Sequence, residues 1–142
     1  MRVERLDGAD RASVERWERF VQACPQATFF HRAGWQPVVA GCFGHTPHFL
    51  QALEGAELVG ILPLAHVRSR LFGNSLTGLP LASYGGIAAL NEGARQALQA
   101  RAVELARELR VDHLELRNTD KQQDWPTQDL YVAFKMPIPA VL

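Results

Sequence analysis

Three features that would narrow the function of this 142-residue chain are scarce: cysteine, an excess of one charge, and long apolar runs. Cys24 and Cys42 are too few for a disulfide framework and lack zinc-type spacing, so both are expected to be small buried hydrophobic residues. Fifteen basic against fifteen acidic residues disfavour a nucleic-acid binder that neutralises phosphates, and no DNA partner is expected. No stretch approaches ~18 apolar residues, so no membrane span is predicted.

Catalytic patterns are also scarce. The serines have no histidine and acidic partners at a known motif spacing, so nucleophilic hydrolysis is unsupported. His45 and His48 are three residues apart in a predicted strand, which places them on opposite faces and argues against a metal site. The polar amino terminus does not resemble a signal peptide, so a cytoplasmic protein is expected. The sequence predicts no metal and leaves the catalytic residues unknown.

The sequence does contain a regular succession of strand and helix patterns. Alternating residues predict strands at residues 1–6, 46–53 and 111–117, and a long, largely apolar run predicts one at 58–70. Further strands are predicted at residues 75–81 (resuming at 87–90) and 130–136. One predicted helix is capped by Asp10 or Ser13 and stopped by Pro25, and another covers residues 92–109 with Asn91 as its N-cap. Between these two helices, a third helix is predicted to begin at residues 28–31. Its inner face would carry four residues: Trp35, Val38, Val39 and Cys42. This order predicts one α/β domain over residues 1–142, a three-layer fold with a mixed, mainly antiparallel sheet.

Two local signals refine the predicted sheet. Gly73-Asn74 indicates a two-residue hairpin turn between the second and third strands of a meander. Pro63 lies inside the preceding predicted strand, and because proline cannot donate to a strand ladder, a bulge or an edge position is expected there.

The element order and several sequence stretches resemble the acetyltransferase-type, GNAT-like fold that occurs twice in the FemAB family. The amino-acid sequence of these stretches is similar above all to that of the FemAB-like proteins associated with exosortase and exopolysaccharide systems. The stretches are Phe29-Phe30-His31-Arg32-Ala33-Gly34-Trp35, Phe43-Gly44-His45, Val59-Gly60-Ile61-Leu62-Pro63-Leu64, Arg68-Ser69-Arg70-Leu71-Phe72-Gly73-Asn74 and Tyr84-Gly85-Gly86.

The resemblance implies that this chain is the amino-terminal domain of a two-domain aminoacyl- or acyltransferase. Such a domain would recognise the acceptor, a peptidoglycan precursor or a sugar phosphate. It would hold no cofactor of its own, and the second domain would handle an aminoacyl-tRNA or acyl-coenzyme A donor. A non-catalytic binding or assembly module with a degenerate acetyltransferase fold is the alternative. The predicted strand at residues 130–136 offers an edge for the second domain or another copy.

Candidate binding residues follow from the same stretches, and each has a structural alternative. Tyr84, Gly85 and Gly86 would form a groove wall or a β-bulge. Arg68 and Arg70, with His66 on the same predicted strand face, would bind an anion or form a solvated strand end. Trp35 would present a binding edge or only pack.

An acetyltransferase grips coenzyme A with a glycine-rich loop that opens a helix. The nearest string here, Arg70-Leu71-Phe72-Gly73-Asn74-Ser75, lacks the final small residue and joins two predicted strands. It is either a degenerate cofactor loop or a plain hairpin.

Overall fold

The computed structural model describes residues 1–71, 73–120, 125–128, 134, 136 and 137. Its strands are β1 (Arg2–Arg5), β2 (Thr46–Glu54), β3 (Glu57–Ser69), β4 (Gly73–Gly78), β5 (Ala88–Ala89) and β6 (His113–Glu115). Its helices are α1 (Arg11–Ala23), α2 (Trp35–Gly41) and α3 (Glu92–Glu108), with a 3₁₀ turn at Phe29–His31.

The two longer helices begin where their capping residues predict. Oδ1 of Asp10 accepts a hydrogen bond from the backbone N–H of Ala12 at the start of α1. Oδ1 of Asn91 accepts one from Ala94 at the start of α3. These side chains satisfy N–H groups that have no partner within the helix, so both helices start at the predicted residues.

The sheet order is β1-β2-β3-β4-β6, with β5 pairing separately with β3. All pairs are antiparallel except β4 and β6, which run parallel with Ser75 opposite His113 and Thr77 opposite Glu115. The parallel pair is possible because α3 carries the chain back between the two strands.

Helices cover both faces of this sheet. On one face, Trp17 and Phe20 of α1 pack with Phe49 and Ile61 of the sheet. On the other, four residues of α3 are buried against β2, β3 and β4: Ala94, Leu98, Ala102 and Leu105. The predicted three-layer α/β fold with a mixed, mainly antiparallel sheet is therefore confirmed.

The predicted helix from residue 28 to Cys42 is wrong in its extent. A capping box between Thr28 and His31 closes a single 3₁₀ turn, and the backbone of Arg32 is then extended. The helix restarts at Trp35, with Pro37 in its first turn, and buries only Val39. Cys42 is exposed, against the expectation, whereas Cys24 is buried as expected.

The predicted hairpin turn at Gly73-Asn74 is also wrong. Both residues already belong to β4, and the turn before them includes Arg70 and Leu71. The reason is a set of contacts from later in the chain: Oδ2 of Asp112 accepts from the N–H of Asn74, whose side-chain amide donates to the carbonyl of Arg110. Strand β4 therefore starts two residues early, and ends at Gly78 instead of residue 81.

Pro63 lies in a central strand, so the expectation of an edge or a bulge is wrong. It pairs with Phe49 of β2. On the other side of β3, the pairing with β4 begins at Leu64 and the pairing with β5 extends only as far as Ile61. The Pro63 carbonyl accepts from Leu79 on that side. Since the N and C=O of a strand residue point the same way, the missing N–H faces the gap between β4 and β5, where no ladder bond is lost.

Two expectations concern the remaining residues. The predicted strand at residues 130–136 lies mostly outside the described residues. Within the described part of the chain, no helix is both long and apolar enough to cross a bilayer.

Candidate functional site

The candidate site lies where the parallel strands β4 and β6 separate. In sheets with parallel strands, ligands commonly bind outside the carboxyl ends of neighbouring strands. Here the pairing stops after Thr77 and Glu115, and the chain from residue 79 to 87 leaves the sheet before β5 forms. We call residues 79–87 the plug loop, because its backbone fills this position.

Two glycines allow the plug loop to pack there. A Cβ atom on Gly86 would lie 2.3 Å from Oδ1 of Asn118 and 2.6 Å from the carbonyl oxygen of Arg117. One on Gly85 would lie 2.7 Å from the Cβ of Leu79. Contacts this short cannot hold a side chain, so the sequence needs glycine at both positions because of close approach. The Tyr84-Gly85-Gly86 tripeptide is thus part of a packed loop and not a bulge within a strand.

Side chains from distant elements fasten the plug loop. Oδ1 of Asn118 accepts from the N–H of Ile87 at 2.8 Å, and Nη1 of Arg117 donates to the carbonyl of Ala82 at 2.7 Å. From the opposite side, the hydroxyl of Thr28 donates to the carbonyl of Tyr84 at 3.3 Å. The loop is held between the end of β6 and the 3₁₀ turn.

His31 makes the most buried of these contacts. Its side chain lies at 2% exposure with Nε2 3.0 Å from the carbonyl oxygen of Gly86. The N–H of Thr28 donates to Nδ1 at 3.0 Å, so Nδ1 is the acceptor and Nε2 carries the proton that Gly86 receives. Burial lowers the pKa of His31, and the hydrogen bond to Gly86 opposes this only in part. A neutral histidine is what this arrangement requires.

An aromatic cluster borders the same region. We define it as Phe29, Phe30 and Trp35, whose rings pack mutually with centroid distances of 5.7–6.1 Å. Nε1 of Trp35 donates to the carbonyl of Phe29 at 3.1 Å, and the Phe29 side chain is 67% exposed. Both interpretations of Trp35 are therefore compatible, because it packs within a cluster that also has an exposed aromatic surface.

The backbone N–H groups that lead into α3 have protein partners. Besides Ile87, the N–H of Ala89 donates to Gln26 and that of Leu90 to the carbonyl of Val59. The first turn of α3 donates to Asn91 and contains the acidic Glu92. A pyrophosphate placed here would meet the occupied N–H groups of Ile87, Ala89, Leu90 and Ala94 and the negative charge of Glu92, which disfavours a coenzyme cradle.

The structure separates the predicted arginines from Tyr84, Gly85 and Gly86. Arg68 lies near the hairpin end of β3 and Arg70 in the turn beyond it, so the two do not share a strand face as predicted. The plug loop begins beyond Gly78, which pairs with Leu64, five residues before Ser69. At about 3.3 Å per residue, this is roughly 16 Å of strand.

Sequence reasoning missed four residues that organise this site: Gln26, His31, Arg117 and Asn118. For His31 there is one local signal, the capping-box spacing of three residues from Thr28. This spacing does not indicate that His31 binds Gly86 or that Thr28 binds Tyr84. Among the described residues there is no group of three or more potential metal ligands.

Comparison with known proteins identifies the fold. No family model matches the chain, and no curated protein matches it. Among solved structures, FemX superposes with a TM-score of 0.57 at 15% identity, over 78% of this chain and 25% of FemX. The aminoglycoside 6'-N-acetyltransferase AAC(6')-Ig from Acinetobacter haemolyticus superposes with a TM-score of 0.57 at 14% identity, over 98% of this chain and 100% of that one.

A transcriptional regulator from Bacillus halodurans C-125 gives a TM-score of 0.60 at 13% identity, over 96% of this chain and 99% of the regulator. The chain therefore has an acetyltransferase-type, GNAT-like fold. At these identities the likeness concerns the fold alone, and the chain spans about a quarter of the length of FemX. The feature of this GNAT-like domain that bears on its function is the plug loop, which fills the position between the ends of β4 and β6.

Proposed function

We propose that this chain is the acceptor-binding, amino-terminal domain of a two-domain, FemAB-like acyltransferase. Such a protein would transfer an aminoacyl or acyl group to a peptidoglycan precursor or a sugar-phosphate acceptor in cell-wall or exopolysaccharide synthesis. The donor, an aminoacyl-tRNA or an acyl-coenzyme A, would be held by the second domain.

One observation carries this proposal: the position of a donor cradle in this domain is filled by its own backbone. Gly85 and Gly86 occupy the space between the diverging strands, and the N–H groups of Ile87, Ala89 and Leu90 are already bonded. A pyrophosphate would have to break these bonds and displace the loop before binding. We infer that this domain contributes to the other substrate.

The acceptor would contact the aromatic cluster and the adjoining Tyr84. Phe29 and Trp35 offer an apolar surface for a sugar ring or a peptide side chain, and the half-buried Tyr84 adds a polar edge. The 3₁₀ turn that carries Phe29 is held from behind, since Nε1 of Trp17 donates to the carbonyl of His31 at 2.7 Å. A rigid backing keeps the exposed rings in place without the ligand having to order them.

In the complete protein, an acceptor amine would attack the carbonyl carbon of the donor. A C–N bond forms, the ester or thioester bond breaks, and the amine proton ends on the released hydroxyl or thiol. No catalytic residue is identified among the residues that the structure describes. The contribution of this domain would therefore be to position the amine, which alone can lower a bimolecular barrier substantially.

Transfer by the complete protein tests the proposal. A two-domain version containing this sequence is assayed with tRNA-linked and thioester-linked donors against a peptidoglycan-precursor peptide and a sugar phosphate. Trp35→Ala is expected to raise KM for the acceptor at least tenfold with little change for the donor, whereas Phe43→Ala, which removes an exposed ring outside the cluster, changes neither. Absence of transfer with every donor and acceptor contradicts the proposal.

Calorimetry of the isolated chain with coenzyme A tests the donor side. No binding is expected, because the cradle is closed. Binding with a micromolar dissociation constant would mean that this domain holds the donor, and would contradict the proposal that the second domain does so.

The second candidate is a non-catalytic binding or assembly module. The same bonded N–H groups favour it, since they remove the cofactor site without removing the aromatic cluster. It is distinguished by an acceptor that binds the chain and loses affinity in Trp35→Ala, together with an inactive two-domain protein.

A further inference from the structure

A second cleft lies away from the plug loop, between the carboxyl-terminal half of α3 and the start of β6. Its volume is about 470 Å³, a size typical of small-molecule sites. Its walls are apolar and come from α3, from β6 with the residues before it, and from a later segment: Val103, Ala106, Val111, Leu114, Trp125 and Pro126.

Three basic residues line this cleft, and none of the described residues that line it is acidic. They are Arg107, Arg110 and His113, all exposed. Neither arginine forms an ion pair with any described carboxylate. Arg101, about two turns earlier on α3, shows the contrast, because it pairs with Glu104 and Glu108. The cleft thus combines an apolar interior with a cationic rim.

Arg110 occupies a position where glycine would be more stable. Helix α3 ends in a Schellman motif: the N–H of Val111 donates to Ala106 and that of Arg110 to Arg107. Arg110 has φ +52°, in the left-handed region that glycine adopts freely and arginine does not. A long cation at a backbone position suited to glycine indicates a use for its guanidinium.

The usual explanation for basic residues at a helix end is weak here. Arginines there commonly bond to the last carbonyls and interact with the helix dipole. The carbonyls of Leu105, Ala106 and Arg107 already accept from Leu109, Val111 and Arg110. These three carbonyls are therefore satisfied without the guanidinium groups.

We propose that this cleft binds an anion carried on an apolar body, meaning an amphiphilic phosphate or carboxylate. The apolar part would occupy the space between Leu114 and Trp125, and the anion would bind Arg107 and Arg110. The wall residues carry apolar side chains, apart from the indole N–H, so a nucleotide base with several donors and acceptors would lose hydrogen bonds on entry. This site is independent of the proposed acceptor function.

The test uses octyl phosphate, kept below its critical micelle concentration and titrated into the full chain by calorimetry. The double variant Arg107→Gln/Arg110→Gly is expected to weaken its binding at least tenfold. Arg11→Gln/Arg19→Gln, which removes two exposed arginines of α1 outside the cleft, should change the affinity less than twofold. Because Arg110→Gly relieves a left-handed arginine, the single variant should unfold at a higher urea concentration and still bind more weakly, so lost binding cannot reflect lost folding.

Three further ligands define the chemistry. Inorganic phosphate and octyl glucoside should each bind at least tenfold more weakly than octyl phosphate, because each lacks one half of the recognised group. AMP distinguishes a nucleotide from an amphiphile and should also bind at least tenfold more weakly. The proposal is overturned if octyl phosphate does not bind, if the control pair weakens it as much as the cleft pair, or if AMP binds as tightly.

Discussion

Nε2 of His31 lies 3.0 Å from the carbonyl oxygen of Gly86, although the two residues are 55 positions apart. This hydrogen bond joins the 3₁₀ turn to the plug loop at the point where the loop passes between the ends of β4 and β6. It holds the aromatic cluster and the loop in one arrangement. The plug loop can therefore be tested through His31, through its glycines and through pH.

Replacing His31 should destabilise the whole domain. His31→Ala leaves the buried carbonyl of Gly86 and the N–H of Thr28 without partners and opens a cavity. Such changes typically cost about 2–4 kcal/mol in the free energy of unfolding. Urea unfolding measures it, with His113→Ala on the exposed surface as the control, expected to change by less than about 0.5 kcal/mol. Equal changes in the free energy of unfolding for the two variants would mean that the buried contact between His31 and Gly86 contributes nothing to stability.

Stability should fall as the solution is acidified. Burial lowers the pKa of His31, and burial, with the nearby Arg5 contributing, lowers the pKa of His48 to about 4. In the unfolded chain both have a pKa near about 6.5, so below that pH the unfolded state binds more protons. The free energy of unfolding is therefore expected to decrease from about pH 6.5 down to pH 4, and to be insensitive to these groups above about pH 7.5. Urea midpoints across this range measure it.

His48→Leu isolates one of the two groups. Nε2 of His48 is buried and has no hydrogen-bond partner among the described residues, and Leu64 lies opposite it in the sheet. Removing an unsatisfied polar atom from this buried position should leave the free energy of unfolding at pH 7 unchanged or higher. It should also reduce the dependence of that free energy on pH. A variant that is less stable at pH 7 with an unchanged slope would contradict this.

Adding one methyl group at Gly86 should displace the plug loop. In Gly86→Ala the new Cβ would lie 2.3 Å from Oδ1 and 2.6 Å from the Cα of Asn118, so the backbone must move. We expect a loss of about 3 kcal/mol in unfolding free energy. Gly34→Ala is the matched control, because nothing lies within 4 Å of its Cβ position and its φ is −56°. Thermal unfolding should show that variant unchanged or slightly more stable.

The end of α3 gives a pair of substitutions with opposite signs. Arg110→Gly should stabilise the domain by roughly 0.5–1 kcal/mol, because φ +52° costs arginine more than glycine. Arg107→Gly, inside the last helical turn, should destabilise it by about 1 kcal/mol. Urea unfolding of both variants checks the signs. The same sign for both would show that the left-handed position carries no strain.

Much of the fold followed from local patterns. Asp10 and Asn91 mark the helix starts, and the alternating and apolar patterns predict every end of β2 and β3 to within one residue. The errors occur where distant residues compete with local preferences. Gly73-Asn74 favours a turn locally, but Asp112 and Arg110 hold Asn74 in β4. Similarly, the apolar run before Cys42 predicts a buried side chain, but α2 ends one residue before it.

The sequence by itself determined the order of strands and helices and the caps of the two longer helices, because these depend on residues within a few positions of each other. Only the tertiary structure decided what the tripeptide Tyr84-Gly85-Gly86 does. Its Gly86 is required by the close approach of Asn118 and Arg117, and the carbonyls of Tyr84 and Gly86 accept hydrogen bonds from Thr28 and His31. Those partners lie more than thirty positions away, and no local periodicity encodes a contact between segments that meet only when the sheet has formed.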